Sequence, residues 1–285
     1  MMKKEWKIRI IDYFVLVILG FFLSVGSMFF SSGSFGTPMF KSYFDNFWIV
    51  FLNTLPIILM LYFIFYLTGR IWSSFSITAI IVVIFTFINY YKVTFRDDTL
   101  LFEDLSLFFE MKNMMGQYKI ELRLSMVLWI VAIVFVSINT FFLRPREFKM
   151  RKKERMIGVI VVLICSLVVT KFVLLNDLFY VKTANEALIN KWGATQQYIS
   201  RGFVYPFIYS SKNAKMQKPD RYNVKEAKEK LNSYNEEDIP ENEKVNVVAI
   251  MLEAFADFSE YPEISFSEEN NPYMEYKEVW SYVKI

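Results

Sequence analysis

The sequence predicts an α-helical membrane bundle of five transmembrane helices, followed by the start of an extracellular α/β domain. Two observations predict the bundle: 54% of the 285 residues are hydrophobic and 19% are aromatic, and the apolar residues are gathered into long runs. Soluble domains of this length contain less apolar sequence. A third observation, a β-branched run at residues 245–252, predicts a buried strand outside the membrane.

Five runs are long enough to cross a bilayer. The hydrocarbon core is about 30 Å thick and a helix rises about 1.5 Å per residue, so a span needs about 20 apolar residues. Four of the runs contain no charged residue, and the fifth contains only Lys171, near its end. The predicted spans are residues 13–30, 47–69, 71–91, 124–143 and 156–175.

Two other interpretations of these runs explain the pattern less well. Buried helices of a large soluble protein usually keep one polar stripe, which these runs lack. Four basic residues precede the first run, as in a cleaved signal peptide. Its apolar stretch is longer than a typical signal sequence, however, and only Ser24 and Gly26 suggest a weak cleavage site. An uncleaved membrane anchor therefore fits better.

The charges between the runs predict the orientation. Arg70 lies alone between the second and third spans, and residues 144–155 hold seven basic and two acidic residues. These segments and the basic N-terminus share one side of a five-span bundle. The alternate segments are neutral or acidic. Because basic loops stay in the cytoplasm, we expect a multi-pass protein of the cell membrane with a cytoplasmic N-terminus and an extracellular C-terminal portion.

Three domains are predicted along the chain: residues 1–175 as the five-helix transmembrane domain, 176–244 as an extracytoplasmic juxtamembrane linker, and 245–285 as the start of an outer domain. The linker contains aromatic-rich stretches at 184–199 and 203–214, typical of chain at lipid-headgroup level. Asn223 followed by Glu226 predicts an N-cap with a capping-box partner, which opens a short helix that ends near Ser233.

The segment 92–123, between the third and fourth spans, is long for a connector and carries an apolar stripe rich in Met and Phe. An amphipathic helix lying on the outer leaflet is one interpretation of it. A re-entrant or partly buried loop packed on the bundle is the other.

Glu253 is the candidate metal ligand. It directly follows the predicted strand at 245–252, and functional groups collect beyond the carboxyl ends of strands in parallel sheets. A carboxylate is a hard ligand suited to manganese or magnesium. From the pattern alone, a cap of the following helix or an ion pair with a nearby base is the more ordinary role for a single acidic residue after a strand. Asp257 and Glu260 are less specific and are expected on a solvated turn.

Composition excludes several classes of function. The net charge of +3 gives no basic footprint for nucleic acid. The chain contains no histidine, which excludes a histidine-based triad or a complete histidine-containing zinc or manganese site within these residues. The single cysteine, Cys165, lies in an apolar run and cannot form an intrachain disulfide. The spans carry no central charge and one proline, Pro56, so a transport path has little support.

Several stretches resemble the lipoteichoic acid synthase family, membrane-anchored phosphoglycerol transferases of the alkaline phosphatase and sulfatase superfamily. The residues that carry the resemblance are Met251-Leu252-Glu253-Ala254-Phe255 at the strand end, KVTFRDDTLLFEDL at 92–105, and the stretch 192–218 with Gly202-Phe203-Val204 and Ser211-Lys212-Asn213. The five spans and the order of these stretches agree with it.

The resemblance implies a function. It implies that the complete protein transfers glycerol phosphate from phosphatidylglycerol to a polyglycerolphosphate chain, with Glu253 as one ligand of a catalytic Mn²⁺ or Mg²⁺. It also implies a threonine nucleophile and further ligands beyond Ile285. The chain is then expected to be the N-terminal, membrane-anchoring portion of a longer sulfatase-like enzyme, inactive and metal-free by itself. Another superfamily enzyme (a phosphoethanolamine transferase or a sulfatase-like hydrolase) and a non-enzymatic membrane scaffold are the alternatives.

Overall fold

The computed structural model describes residues 2–107, 121–143, 151–186, 188–190, 193–212, 214 and 222–234, with the single residues 240, 267 and 271. The predicted strand at 245–252 and the outer domain that it would begin therefore lie outside the described residues. The chain forms two compact units, Met1–Gln217 and Lys218–Ile285. They are described separately.

Five long helices dominate the first unit, as the sequence predicted. They contain five stretches long and apolar enough to cross a membrane: Ile11–Ser31, Phe47–Thr68, Ile71–Arg96, Leu124–Phe142 and Lys152–Leu174. The helices that carry them are α1 (Met2–Ser31), α3 (Phe47–Thr68), α4 (Ile71–Arg96), α5 (Leu124–Leu143) and α6 (Lys152–Val169). A π-helical turn, Thr170–Leu174, continues α6. The chain is a multi-pass membrane protein by the length and composition of these helices.

The ends of α3 follow from local sequence. Asn46 caps its first turn, because the Asn46 Oδ1 accepts a hydrogen bond from the Trp48 amide at 3.0 Å. Gly69 ends the helix in the left-handed region, with a φ of 73° that a side chain would strain. The chain then reverses at Arg70 and enters α4. This tight turn makes α3 and α4 antiparallel neighbours.

Helices α1, α3 and α4 pack together in the middle of the unit, with α5 against α4 and α6 against α3. Small residues bring some of these helices close. A Cβ added to Gly158 would lie 2.3 Å from the Tyr66 ring, and one added to Gly26 would lie 2.2 Å from the Trp129 indole nitrogen. Close approach at small residues is how helices associate in lipid, where the hydrophobic effect gives no drive between them.

Short helices gather at one end of the bundle, which we call the distal end: the end where the first, third and fifth spans finish. They are α2 (Gly36–Asp45), α7 (Asp177–Lys182), α8 (Ala194–Ile199) and α9 (Val204–Ser210), with the 3₁₀ helices Gly33–Phe35 and Phe102–Leu107. The aromatic-rich stretches that the sequence assigned to the linker thus contain the helices α8 and α9.

In the second unit, α10 spans Val224–Asn232. The predicted N-cap is confirmed: the Asn223 Oδ1 accepts from the Lys225 amide at 2.9 Å. Glu226 takes part differently from the expected capping box, because its carboxylate accepts from the Asn223 side-chain amide at 3.2 Å.

Candidate functional site

The sequence-predicted metal ligand Glu253 lies outside the described residues, as do Asp257 and Glu260. Within the part of the chain that the structure describes, no group of three or more His, Cys, Asp or Glu side chains could hold a metal ion. The described part nevertheless has a well-defined, largely buried set of polar contacts at the distal end. There the chain that follows the fifth span packs back onto the bundle, and we call residues 176–212 the docked segment.

Asn53, a fully buried residue of α3, fastens the docked segment. Its Nδ2 donates to the Arg201 carbonyl at 2.8 Å and to the Ile49 carbonyl at 2.8 Å. Its Oδ1 accepts from the amides of Phe203 and Tyr205, both at 3.1 Å. All four hydrogen-bonding positions of the amide are therefore occupied. Three of the four bonds go to backbone about 150 residues away.

Gly202 makes this contact possible. Its φ of 90° lies in the region that favours glycine, and an added Cβ would lie 2.6 Å from the Asn53 Nδ2. Two hydroxyl groups hold the same turn. The Ser31 hydroxyl donates to the Gly202 carbonyl at 2.9 Å, and the Tyr43 hydroxyl donates to the Ile199 carbonyl at 2.6 Å. The turn is thus tied to α1, α2 and α3.

A stack of rings and cations lies beside this turn; we call it the distal stack. The Tyr180 and Tyr209 rings are parallel, with centroids 3.9 Å apart and an interplanar angle of 11°. The Arg201 guanidinium lies 4.1 Å from the Tyr180 ring centroid, and Lys212 lies 5.8 Å from that of Tyr209. Such cation–π contacts stabilise a charge that is partly removed from water. Arg201 is only 5% exposed.

Hydrogen bonds fix the outer part of the distal stack. The Tyr209 hydroxyl and the Lys212 ammonium both donate to the Asp177 Oδ1, at 2.7 and 2.5 Å. The bond from Lys212, with a further one from Tyr209, holds the pKa of the Asp177 carboxyl below its ordinary value. Burial raises the pKa of Tyr180 and of Tyr209. The tyrosines therefore stay neutral, and at neutral pH the charges of the stack are those of Arg201, Lys212 and Asp177.

Lys182 adds an exposed cation to this end. Its Nζ lies 5.4 Å from the ring centroids of both Trp48 and Phe179, and its carbonyl accepts from the Asn46 side-chain amide at 2.8 Å. A lysine stem along aromatic rings with its ammonium in water is typical of the lipid-headgroup region.

The loop after the third span also packs on the bundle. The Lys92 ammonium lies 2.7 Å from carboxylate oxygens of both Asp98 and Asp104. The Phe102 amide donates to the Ser210 hydroxyl of α9 at 2.8 Å. Residues 97–107 therefore match the interpretation of segment 92–123 as a loop packed on the bundle. Most of the rest of that segment, which could instead form the amphipathic surface helix, lies outside the described residues.

Comparison with known proteins gives no relative. No protein family, no curated protein and no solved structure matches the chain. The resemblance to the lipoteichoic acid synthases therefore remains a prediction from the sequence.

Sequence analysis missed Asn53, Gly202 and the stacking of Tyr180, Tyr209 and Arg201. One signal was available: Asn53 is the only asparagine in the second span, and a polar side chain within an apolar span needs hydrogen-bond partners. Its partners lie so far away in sequence that no local pattern names them.

Proposed function

We propose that this chain is the membrane-anchoring part of a phosphoglycerol transferase that resembles the lipoteichoic acid synthases. The complete enzyme would move glycerol phosphate from phosphatidylglycerol to a polyglycerolphosphate chain. The observation that carries the proposal is the attachment of the docked segment to the bundle by Asn53, Ser31 and Tyr43. Because the docked segment is attached in this way, the chain that follows it begins at a fixed point at the end of the membrane spans.

The physical advantage of this anchoring is a high local concentration of lipid. A domain tethered at the bilayer surface meets lipid headgroups at an effective concentration set by the tether, without any new contact. A shorter tether gives a higher effective concentration. Aromatic side chains and exposed lysines such as Lys182 suit the docked segment to the headgroup region.

The proposal places the distal end outside the cell. The charge pattern supports this, because the basic segments around Arg70 and Arg151 lie at the opposite end of the helices. Alkaline phosphatase, which folds actively only outside the cytoplasm, is to be fused after residue 143 in one protein and after residue 212 in another. We expect activity only from the second fusion. Activity from the first fusion alone would refute this orientation.

Glu253 is the one residue of this chain that the proposal assigns to the metal. A carboxylate suits Mn²⁺ or Mg²⁺, and such an ion would help a hydroxyl nucleophile attack the phosphodiester. The described residues add no further ligand group, so no catalytic step is assigned to them. Their role is to anchor and to position.

The test uses the protein encoded by the entire reading frame that contains this chain. Diacylglycerol release from labelled phosphatidylglycerol is measured in vesicles with Mn²⁺. We expect Glu253→Gln to lower release about 100-fold or more, because removing a ligand of a catalytic ion removes its stabilisation of the reacting groups. Glu260→Gln is the matched control and should keep the activity.

Three results would overturn the assignment. Full activity of the Glu253→Gln protein would remove Glu253 from the site. Release from phosphatidylethanolamine but not from phosphatidylglycerol would favour the phosphoethanolamine transferase instead. If the unsubstituted protein releases diacylglycerol from neither lipid, the scaffold interpretation is the better one.

A further inference from the structure

Arg201 carries a buried positive charge that no carboxylate of the described residues neutralises. The residue is 5% exposed, and the ion pairs found in the described part of the chain do not include it. Its Nε donates to the Tyr180 carbonyl at 3.2 Å, and its Nη1 donates to the Gln197 carbonyl at 2.8 Å. Carbonyls and rings supply only partial charges, whereas a charge removed from water is normally paired with an opposite charge. The described residues therefore leave Arg201 without a counter-ion.

The Arg201 guanidinium also keeps hydrogen-bond donors free. It has five N–H groups, and the two bonds to carbonyls use one on Nε and one on Nη1. The third nitrogen, Nη2, has no partner among the described residues. It is not one of the unpaired polar atoms that the protein encloses completely, so it reaches the surface. The open part of this buried cation is thus a terminal nitrogen with two donors.

Asp177, the carboxylate of the distal stack, lies on the other side of the Tyr180 ring from this cation. Tyr209 covers one face of the Tyr180 ring, with the two centroids 3.9 Å apart. The Arg201 guanidinium, 4.1 Å from the same centroid, therefore lies on the opposite face. Tyr209 and Lys212 hold the Asp177 carboxylate on their own side.

Tyr198 supplies a second donor near Arg201. Burial raises the pKa of Tyr198 to about 12. Electrostatic interactions with Tyr180 and Glu103 also raise this pKa, and the charge of Arg201 lowers it, so these groups lie within electrostatic range of the hydroxyl. At neutral pH the hydroxyl is therefore a neutral donor, and it makes no hydrogen bond within the described residues.

These donors lie at the distal end, beyond the last span. Tyr180 follows Leu174, where the fifth span ends, by six residues, and Gln197 lies in α8 of the docked segment. The phosphates of a lipid leaflet lie directly outside the hydrocarbon, in an interfacial layer about 5–7 Å thick. A guanidinium suits phosphate because its planar fork of donors matches two phosphate oxygens. The cation without a counter-ion is thus at the level where phosphate groups occur.

We propose that Arg201 and Tyr198 bind the phosphate of one phosphodiester at the distal end of the bundle. Nη2 and the tyrosine hydroxyl donate to its oxygens, and the phosphate supplies the counter-ion that the described residues lack. The Glu103 carboxylate nearby favours a ligand with one negative charge, as a diester has, over a doubly charged monoester. The headgroup of an anionic phospholipid and a water-soluble glycerol phosphodiester share this chemistry. The inference does not rest on the proposed enzyme, because it requires only this end of the chain.

The test measures the ligand retained by the purified chain in detergent, by native mass spectrometry. Phosphatidylglycerol and diacylglycerol with identical acyl chains are the probes, and only the first carries a phosphate. We expect phosphatidylglycerol to be retained about 10-fold more tightly. Arg201→Gln should remove this preference and leave diacylglycerol retention unchanged, whereas Arg201→Lys keeps the charge and should lose only about threefold. Lys171→Gln is the matched control, because it removes an exposed cation at the distal end of the fifth span and should keep the preference.

Two variants leave every contact of the Arg201 side chain in place, which guards against misfolding of the arginine variants. Glu103 is exposed, and Glu103→Gln should raise phosphatidylglycerol retention about 2- to 3-fold, because it removes a negative charge near the phosphate. A loss of folded structure does not produce such a gain. Asp45→Asn, at another exposed position of the distal end, is its control and should change nothing. Tyr198→Phe should lower phosphatidylglycerol retention about 3- to 10-fold.

Glycerophosphoglycerol, the water-soluble diester of the same headgroup, identifies the source of the phosphate. Displacement of phosphatidylglycerol at millimolar concentration would assign the site to a water-soluble phosphodiester, and resistance to it would assign the site to a lipid headgroup; both support the proposal. Three results would overturn it. They are equal retention of the two lipids by the unsubstituted chain, equal losses in the Arg201→Gln and Lys171→Gln proteins, and no gain in the Glu103→Gln protein.

Discussion

Replacing Asn53 by alanine tests how the docked segment is held to the bundle. The substitution removes four hydrogen bonds and leaves the Arg201 carbonyl and the amides of Phe203 and Tyr205 without their partner. A buried backbone group without a partner costs about 1–3 kcal/mol. Hydrogen bonds between membrane helices average about 0.6 kcal/mol, because other partners take over.

Three such groups set the expected size of the effect. At the membrane value they cost about 2 kcal/mol together. The higher value of about 1–3 kcal/mol per group applies only if water cannot reach the groups that lose their partner. This turn, however, lies near the headgroup region. We therefore expect a cost of about 2–4 kcal/mol, which corresponds to about 30-fold or more in the equilibrium for opening the segment.

Hydrogen exchange of the peptide that contains residues 199–205 is the assay. Two of its amides donate directly to Asn53, so their protection reports the opening of the docked segment. We expect protection to fall at least 30-fold in the Asn53→Ala protein. Asn139→Ala is the control, because among the described residues the Asn139 side chain bonds only to the Phe135 carbonyl of its own helix. A loss below threefold, or an equal loss in both proteins, would refute this account of the segment.

Three further substitutions have outcomes that the contacts specify. Gly158→Ala places a methyl group 2.3 Å from a tyrosine ring and should lower resistance to unfolding in detergent by about 1–3 kcal/mol, whereas Gly193→Ala, with its nearest neighbours at 3.5 Å, should change it little. Lys92→Met leaves two carboxylates without their cation and should cost about 2–3 kcal/mol in the same assay. The pKa of Asp177 in the folded protein lies below the ordinary value of 3.8. Its contribution to stability is therefore complete above pH 3.8 and is lost as the pH falls through the pKa of the folded protein. A spin label on α9 should therefore gain mobility only below pH 3.8, and Asp177→Asn should remove this dependence.

The membrane spans were predictable because length and lack of charge specify them. The end of α4 was not. We predicted a membrane span that ends at Tyr91, before the first charge, and the helix that contains this span continues to Arg96. Lys92, in the last turns of this helix, pairs with Asp98 and Asp104, and the sequence alone does not show that pairing.

The N-cap at Asn223 was predictable because its partners are two and three residues away. The contacts of Asn53 were not, since they join the second span to chain beyond the fifth. The strand at 245–252 and the metal role of Glu253 lie outside the described residues and stay predictions.

Polar side chains within membrane spans usually mark a path for ions or substrates. Here Asn53, Ser31 and Asn89 each bond to backbone of chain that lies outside the spans, so their role is to position that chain. This gives a consequence for the proposed enzyme. Asn53→Ala should lower its turnover of phosphatidylglycerol in vesicles more than its turnover of a soluble short-chain analogue, because only the first reaction needs a fixed distance from the membrane. An equal loss on both substrates would mean that the docked segment acts through overall stability instead, and that the anchoring argument is wrong.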